Sequence, residues 1–347
     1  MRSALLTLAT LIALLLAADR WLAARDGSAA RARQRAGTLF TLEEAAELRK
    51  LPALTLELPG ERHRYGRIGG EWRCLSLFDA PADGRAVQGL IDAVVGAEGL
   101  VHARAVADAP RYGINVPETV RIFLQGPAAA QGGDVRAVLE VGAGNGQGCF
   151  ARRQGTKEIW SVAGDLRATL QQRLAHGLPP LLAASLVPAK WREESGGIVR
   201  VEREGAGAAL VLERRERELD PATAQPGMLP WTWVLAGGAN EVVEDGFERF
   251  VGRLENLAYA AVLDPASRTG LGLEPPLARV MLVPRTGAPL VLAFGNRDEL
   301  GAPVWVEASG TLYRVATREL EGVFAAPAEL LAEIEEQKKR QAEGAAK

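Results

Sequence analysis

The chain is short of the residues that most often carry chemistry. It has two cysteines, Cys74 and Cys149, far apart and without a C-x-x-C spacing. Its three histidines, His63, His102 and His176, fall in unrelated segments. A structural zinc site needs about four ligands, and this set supplies none at a familiar spacing. There is no G-x-S-x-G, no H-E-x-x-H and no P-loop lysine, so the common hydrolase, metalloprotease and nucleotide-binding signatures are missing. Charge of one sign is also lacking. The net charge is -2 with acidic and basic residues interspersed, so no global basic field points to nucleic acid. These absences leave catalytic, cofactor-binding and metal-binding residues unassigned and favour a non-enzymatic reading.

What is present begins at the amino terminus. After Arg2 the chain is apolar from Ala4 to Ala18, and Trp21 and Leu22 extend the run past Asp19 and Arg20. A spanning helix needs about 20 apolar residues and a signal-peptide core about 10–14. Residues 1–24 are therefore expected to be a transmembrane anchor, with a cleaved signal and a buried helix as alternatives. Trp21 suits a membrane interface, and Arg20 can extend its head group out of the apolar zone. The first A-x-A cleavage pattern, Ala30-Arg31-Ala32, lies well downstream. Arginines after the run favour a cytoplasmic body, and the very short amino-terminal flank favours an exported one. Residues 25–50 read as a linker.

The chain then repeats itself. "RYGINVPETVRIFLQ" (Arg111–Gln125) returns as "RTGLGLEPPLARVMLV" (Arg268–Val283), pairing Gly113 with Gly270 and Pro117 with Pro275. Arg121–Leu124 then matches Arg279–Leu282. Downstream, Leu139 and Gly142 match Leu292 and Gly295, Phe150 matches Trp305, and Trp160 matches Tyr313. Upstream, Trp72 matches Trp233. Val87, Ile91, Val94 and Val95 mirror Phe250, Leu254, Leu257 and Ala258 at the spacing of one helical face. The strands Ala53–Leu58 and Gly197–Glu204 open the two copies. In each Gly-to-Pro phrase, glycine provides a turn with positive φ and proline launches an extended strand. The expectation is an α+β protein with two repeated antiparallel-sheet-plus-helix domains, residues 51–165 and 197–326. A helical connector, broken at Pro179-Pro180, is expected over 166–196.

Three features imitate functional sites. "GAGNGQG" (Gly142–Gly148) lacks the third glycine of a dinucleotide loop and lies between two strands, so it reads as a hairpin. "EVVEDGFE" (Glu241–Glu248) places carboxylates at a helix start, where the dipole favours them, and this is preferred to metal binding. Trp72, Trp233 and Trp305 sit in alternating strands and read as core, whereas Trp191 and Trp231 lie near loops and are expected to be more exposed.

The anchor, "EWRC" before a helix, "RYGINVPETVRI" and "TGLGLEPPLARV", each followed by a Gly-tipped meander ending "EIWSV" or "TLYRV", resemble the bacterial family known as domain of unknown function 4340. Ile114 replaces the usual leucine of the phrase, and the tyrosine before Gly270 is missing. The resemblance implies a single-pass protein of the inner membrane with its body in the periplasm, encoded beside ABC-type export permeases and gliding-motility-like auxiliary subunits. It implies no catalytic residues. The leading expectation is therefore a non-catalytic accessory or scaffold protein whose partners are the membrane and a permease or auxiliary subunit, with no nucleic acid. A binding module for an envelope polymer or lipid is the alternative, and an unrecognised hydrolase a further one. Cys74 and Cys149 are expected to be either bridged or both buried. The tail, 327–347, is expected to form a helix from Pro327 to about Gln341, held by Leu330, Leu331 and Ile334, with ion pairs Glu335–Lys339 and Glu336–Arg340.

Overall fold

A computed structural model of the chain describes residues 37–127, 134–171, 177–205, 209–216, 231–236, 242–243 and 246–345. The apolar run at 1–24 lies outside them. No helix among the described residues is long and apolar enough to cross a membrane.

The protein is α+β, mostly sheet, with antiparallel pairing in both sheets. The first ten strands are β1 (Gly37–Thr38), β2 (Ala53–Leu58), β3 (Glu61–Ile68), β4 (Glu71–Cys74), β5 (Ala80–Pro81), β6 (Glu98–Ala103), β7 (Val120–Gln125), β8 (Val135–Gly144), β9 (Gly148–Arg153) and β10 (Ile159–Ala163). Then come β11 (Ile198–Gly205), β12 (Leu210–Glu216), β13 (Trp231–Ala236), β14 (Val242–Val243), β15 (Ala261–Leu263), β16 (Ala278–Pro284), β17 (Leu290–Phe294), β18 (Ala302–Val306) and β19 (Thr311–Val315). The helices are α1 (Leu42–Leu48), α2 (Gly84–Val95), α3 (Leu166–Gln171), α4 (Ala189–Glu194), α5 (Phe247–Glu255) and α6 (Pro327–Ala345).

These elements form two compact units that cut across the repeat read from the sequence. One comprises the chain up to Arg62 together with Gln88–Leu170, and the other His63–Val87 with Gln171–Lys347. In the first, strands follow the order β1-β6-β10-β9-β8-β7-β2. In the second, β15-β19-β18-β17-β16-β11-β12-β13-β14 make one sheet, and β3, β4 and β5 pair in succession. Counterparts keep their order: β6, β10, β9, β8, β7 and β2 match β15, β19, β18, β17, β16 and β11, and β3, β4 and β5 match β12, β13 and β14.

Strand register refines the residue matches. Arg67 lies opposite Trp72 on β3–β4 and Arg214 opposite Trp233 on β12–β13, the same register position in the two strand pairs. Leu139 and Leu292 face Ile122 and Val280. The pairing of Phe150 with Trp305 is corrected. Trp160 faces Ala151 and Tyr313 faces Val304, so Trp305 stands where the first copy has Arg152. The pairing of Gly113 with Gly270 also shifts, to Gly272. Gly113 has φ 71° and Gly272 φ 70°. A Cβ on Gly142 would lie 2.1 Å from Tyr112 O, just before Gly113; one on Gly295 would lie 2.1 Å from Leu271 O, just before Gly272. Counting four residues on, Pro117 corresponds to Pro276 rather than Pro275. The second copy carries an additional positive-φ glycine, Gly270, in its turn.

Two segments differ from expectation. The linker 25–50 contains a helix, α1, started by a capping box: Thr41 Oγ1 accepts from Glu44 N at 3.2 Å, and Glu44 accepts from Thr41 N at 2.9 Å. Among its described residues the connector is α-helical only at α3 and α4, because Gly177–Pro188 runs as an irregular strap. Pro179-Pro180 removes two donors, and Leu181 takes φ 65°. Helix α6 forms as expected and continues to Ala345. Leu330 and Ile334 are buried and Leu331 half-buried, with Ile334 lying against Gly246 where a Cβ would come within 2.5 Å. Glu336 and Arg340 pair at 2.5 Å.

The two close approaches generate a paired prediction. Gly142→Ala and Gly295→Ala are each expected to lower stability by about 1–3 kcal/mol, because a methyl group must displace a backbone carbonyl. Chemical denaturation of the two variants measures this, and a neutral result at either site removes the steric constraint there.

Candidate functional site

The first cluster of buried polar groups belongs to the first unit. Glu140 on β8 and Arg152 on β9 are both buried and face each other in register. Arg152 donates through Nε at 2.7 Å and pairs through Nη2 at 2.6 Å with the same carboxylate oxygen. Its Nη2 also donates to Asn115 Oδ1 at 2.9 Å, and Arg121 stands 3.6 Å from Glu140. In the second sheet these positions hold Ala293 and Trp305, again in register, and Arg268 lies 4.8 Å over the Trp305 ring. The corresponding strand positions thus hold a buried ion pair in the first sheet and an alanine beside a half-buried tryptophan in the second.

The sequence-derived positions do not converge on a reaction centre. Trp72 is buried on β4 with Arg67 stacked at 5.1 Å. Trp233 is buried and donates from Nε1 to Glu248 at 2.5 Å. Gly113 and Gly270 both have positive φ, Pro117 is exposed in its turn, and Pro275 follows a cis peptide. Cys74 and Cys149 are free and buried, one in each unit, so the buried alternative holds and the bridged one does not. Burial pushes both thiols up from their ordinary values. The "GAGNGQG" segment is the β8–β9 hairpin, with Gly146 at φ 82°. In "EVVEDGFE", Glu241, Glu244 and Asp245 lie outside the described residues, and Glu248 occupies the first turn of α5. His102 is exposed and packs 5.2 Å from Tyr112 and 5.1 Å from Phe150; His176 lies outside the described residues. No group of three metal-ligating side chains is gathered among the described residues.

A cleft of about 490 Å³ lies in the second unit. Its construction starts with the strap. Tyr65 OH donates to Pro180 O, and Tyr259 OH donates to Ala183 O at 2.6 Å. Burial pushes both phenols well above their ordinary range, so they remain protonated donors. Backbone bonds hold the strap further, from Asp83 N to Leu181 O at 2.8 Å and from Leu186 N to Leu257 O at 2.9 Å. The strap then forms one side of the cleft through Ala183–Ser185 and Val187. Trp72 and Trp191 contribute aromatic walls, and the buried side chains of Leu290 and Val306 lie behind the surface. Trp191 is half-buried, its Nε1 donating to Ala288 O at 3.1 Å. Two ion pairs flank helix α4: Arg85–Glu193 at 2.9 Å and Lys190–Glu71 at 3.5 Å. Arg73 reaches Ser309 O at 3.3 Å. Aromatic walls rimmed by charged side chains suit the capture of a partly apolar segment.

Residues from both sequence copies line this cleft. The sequence reading identified Trp72 and Trp191 but missed the strap. The signal was weak: a Pro-Pro step in an apolar stretch, and two tyrosines remote from it in sequence.

The comparison with family models falls on this same part of the chain. The model described as Domain of unknown function (DUF4340) matches residues 72–276, from the cleft tryptophan to the second Gly-to-Pro phrase. The chain belongs to the DUF4340 family. No curated protein and no solved structure matches it. Within this DUF4340 chain, the match begins in the first repeat copy and ends in the second, so the family pattern spans both Trp72 and Trp233.

Two predictions follow from the buried groups. Glu140→Ala is expected to cost about 3–5 kcal/mol by leaving Arg152 buried without its partner. Adding Arg152→Trp, which installs the second sheet's pair, is expected to recover a large part of that loss in urea denaturation. Both thiols should resist alkylation at pH 8 in the folded protein, since burial limits access and raises their pKa. Denatured, unreduced protein should then titrate two thiols; a count of zero would mean a bridge.

Proposed function

We propose that this DUF4340 protein is a non-catalytic, membrane-anchored accessory module of the bacterial envelope. Residues 1–24 serve as its single-pass anchor, and its body lies outside the cytoplasmic membrane. There it holds an apolar segment of a membrane-transporter subunit, of the ABC export type that the family resemblance implies. We further take the two sheets to be copies of one duplicated α+β unit. The observation that carries the docking reading is the cleft of about 490 Å³, with Trp72 and Trp191 in its walls and ion-paired side chains at its rim. The anchor rests on the apolar run itself. The aromatic walls, Trp72 and Trp191, support a second reading in which an envelope polymer or lipid fills the same cleft.

Two measurements test the proposal in cells. A reporter active only outside the cytoplasm, fused after Lys347, should be active; silence with a folded full-length protein overturns the topology. A photo-crosslinking residue at Ala308, an exposed position lining the cleft, should trap a transporter subunit identifiable by mass. Ala308→Arg should abolish that capture. Crosslinks to glycan or lipid alone would support the second reading against the first.

A further inference from the structure

Every residue from Pro188 to Glu194, and so all of helix α4, lines the docking cleft. Helix α1 is the natural comparison. It stands ahead of β2 as α4 stands ahead of β11. The backbone before each is tied to the chain just past a longer helix: Leu39 N donates to Ala97 O at 3.2 Å, and Leu186 N to Leu257 O at 2.9 Å. Helix α1 carries a capping box and buries Ala45 and Leu48. Helix α4 starts at Pro188 without a side-chain cap and buries none of its residues. So short a helix is not stable by its own backbone bonds. What keeps α4 in place is polar and external. Trp191 Nε1 donates to Ala288 O at 3.1 Å, and Arg192 Nη1 to Asn256 Oδ1 at 3.0 Å. Two ion pairs join it to other residues lining the cleft, Arg85–Glu193 at 2.9 Å and Lys190–Glu71 at 3.5 Å. All four of these side chains are largely in solvent, where such pairs contribute little and weaken with salt. The two ends, by contrast, are fixed. Val187 and Ser195 are buried, and Ser195 O accepts from Thr286 N at 3.0 Å.

We propose that α4 is a lid that unwinds locally between Val187 and Ser195 to admit the partner segment. This rests on the docking reading above and deepens it. The closed cleft hides apolar surface that such a segment would pack against. Leu290, two residues past the carbonyl that Trp191 holds, is 1% exposed. Opening breaks one short helix, two exposed ion pairs and two side-chain hydrogen bonds, with no buried side chain of α4 to extract. It frees the Trp191 indole and uncovers Leu290. A segment that meets both only in the open form has the differential affinity that a shift of population requires.

The test uses the full chain in detergent. Amide hydrogen exchange read by mass spectrometry should show α4 exchanging faster than α1. Arg85→Glu should speed exchange in α4 by about two- to fivefold at low salt, the range of one exposed ion pair. Arg85→Glu combined with Glu193→Arg should restore the rate. Exchange no faster than in α1, or indifferent to the charge swap, overturns the lid. Photo-capture of a transporter subunit from Ala308 then reads its consequence in cells. With Arg85→Cys and Glu193→Cys joined by a short bismaleimide, capture should be lost, and the same variant left unjoined should keep it. Cys74 and Cys149 are buried and do not compete for the reagent. Equal capture from joined and unjoined protein overturns the lid. Loss of capture in both, with exchange as expected, counts against the docking reading while the exchange supports the lid.

Discussion

Both sheets depend on one tight contact between backbone and backbone. A carbonyl before a positive-φ glycine, Tyr112 O in one copy and Leu271 O in the other, lies where any side chain at Gly142 or Gly295 would have to be. This contact seats the Gly-to-Pro phrase against the end of β8 in the first sheet and of β17 in the second. It places Ile114 and Leu273, which follow the two glycines, in buried clusters with Ile159 and Leu312 respectively. The phrase is written twice because the same steric problem occurs twice. Only glycine leaves room for the carbonyl, and a positive φ turns the chain back toward the next strand.

With that contact in place, the surrounding side chains are free to differ. The neighbouring pair is Glu140 with Arg152 in one copy and Ala293 with Trp305 in the other. A buried ion pair of good geometry and a large ring against a small methyl group fill similar volumes. Packing identity is therefore kept where the backbone is crowded and relaxed where volume alone matters.

The docking cleft has another origin, the need to satisfy the backbone of a buried irregular segment. The strap around Pro179-Pro180 cannot form a helix, and its carbonyls would be costly if left unpaired. Tyr65 and Tyr259 supply the donors, and Ala183 N donates to Pro81 O on β5 at 3.1 Å. These bonds draw His63–Val87 into the second unit and bring Trp72 beside Val306 and Leu290 in one cleft.

The α+β class, the similar order of strands in the two sheets and the C-terminal helix were legible in the sequence. Each rests on local periodicity or on a residue type with one strong conformational preference. The capping box before α1 is also written there, in Thr41 and Glu44, inside the stretch whose composition reads as linker. The shift from Gly270 to Gly272 was not legible, because two positive-φ glycines two residues apart satisfy the same pattern. Only the carbonyl they present to Gly295 separates them. Nor was the strap legible: the partners of its carbonyls lie on strands and loops far away in sequence, and no local pattern encodes which tyrosine donates to which carbonyl. Sequence determined where the chain turns and which faces are apolar. The tertiary structure decided which unit each hairpin joins, because that choice follows from long-range satisfaction of buried backbone groups.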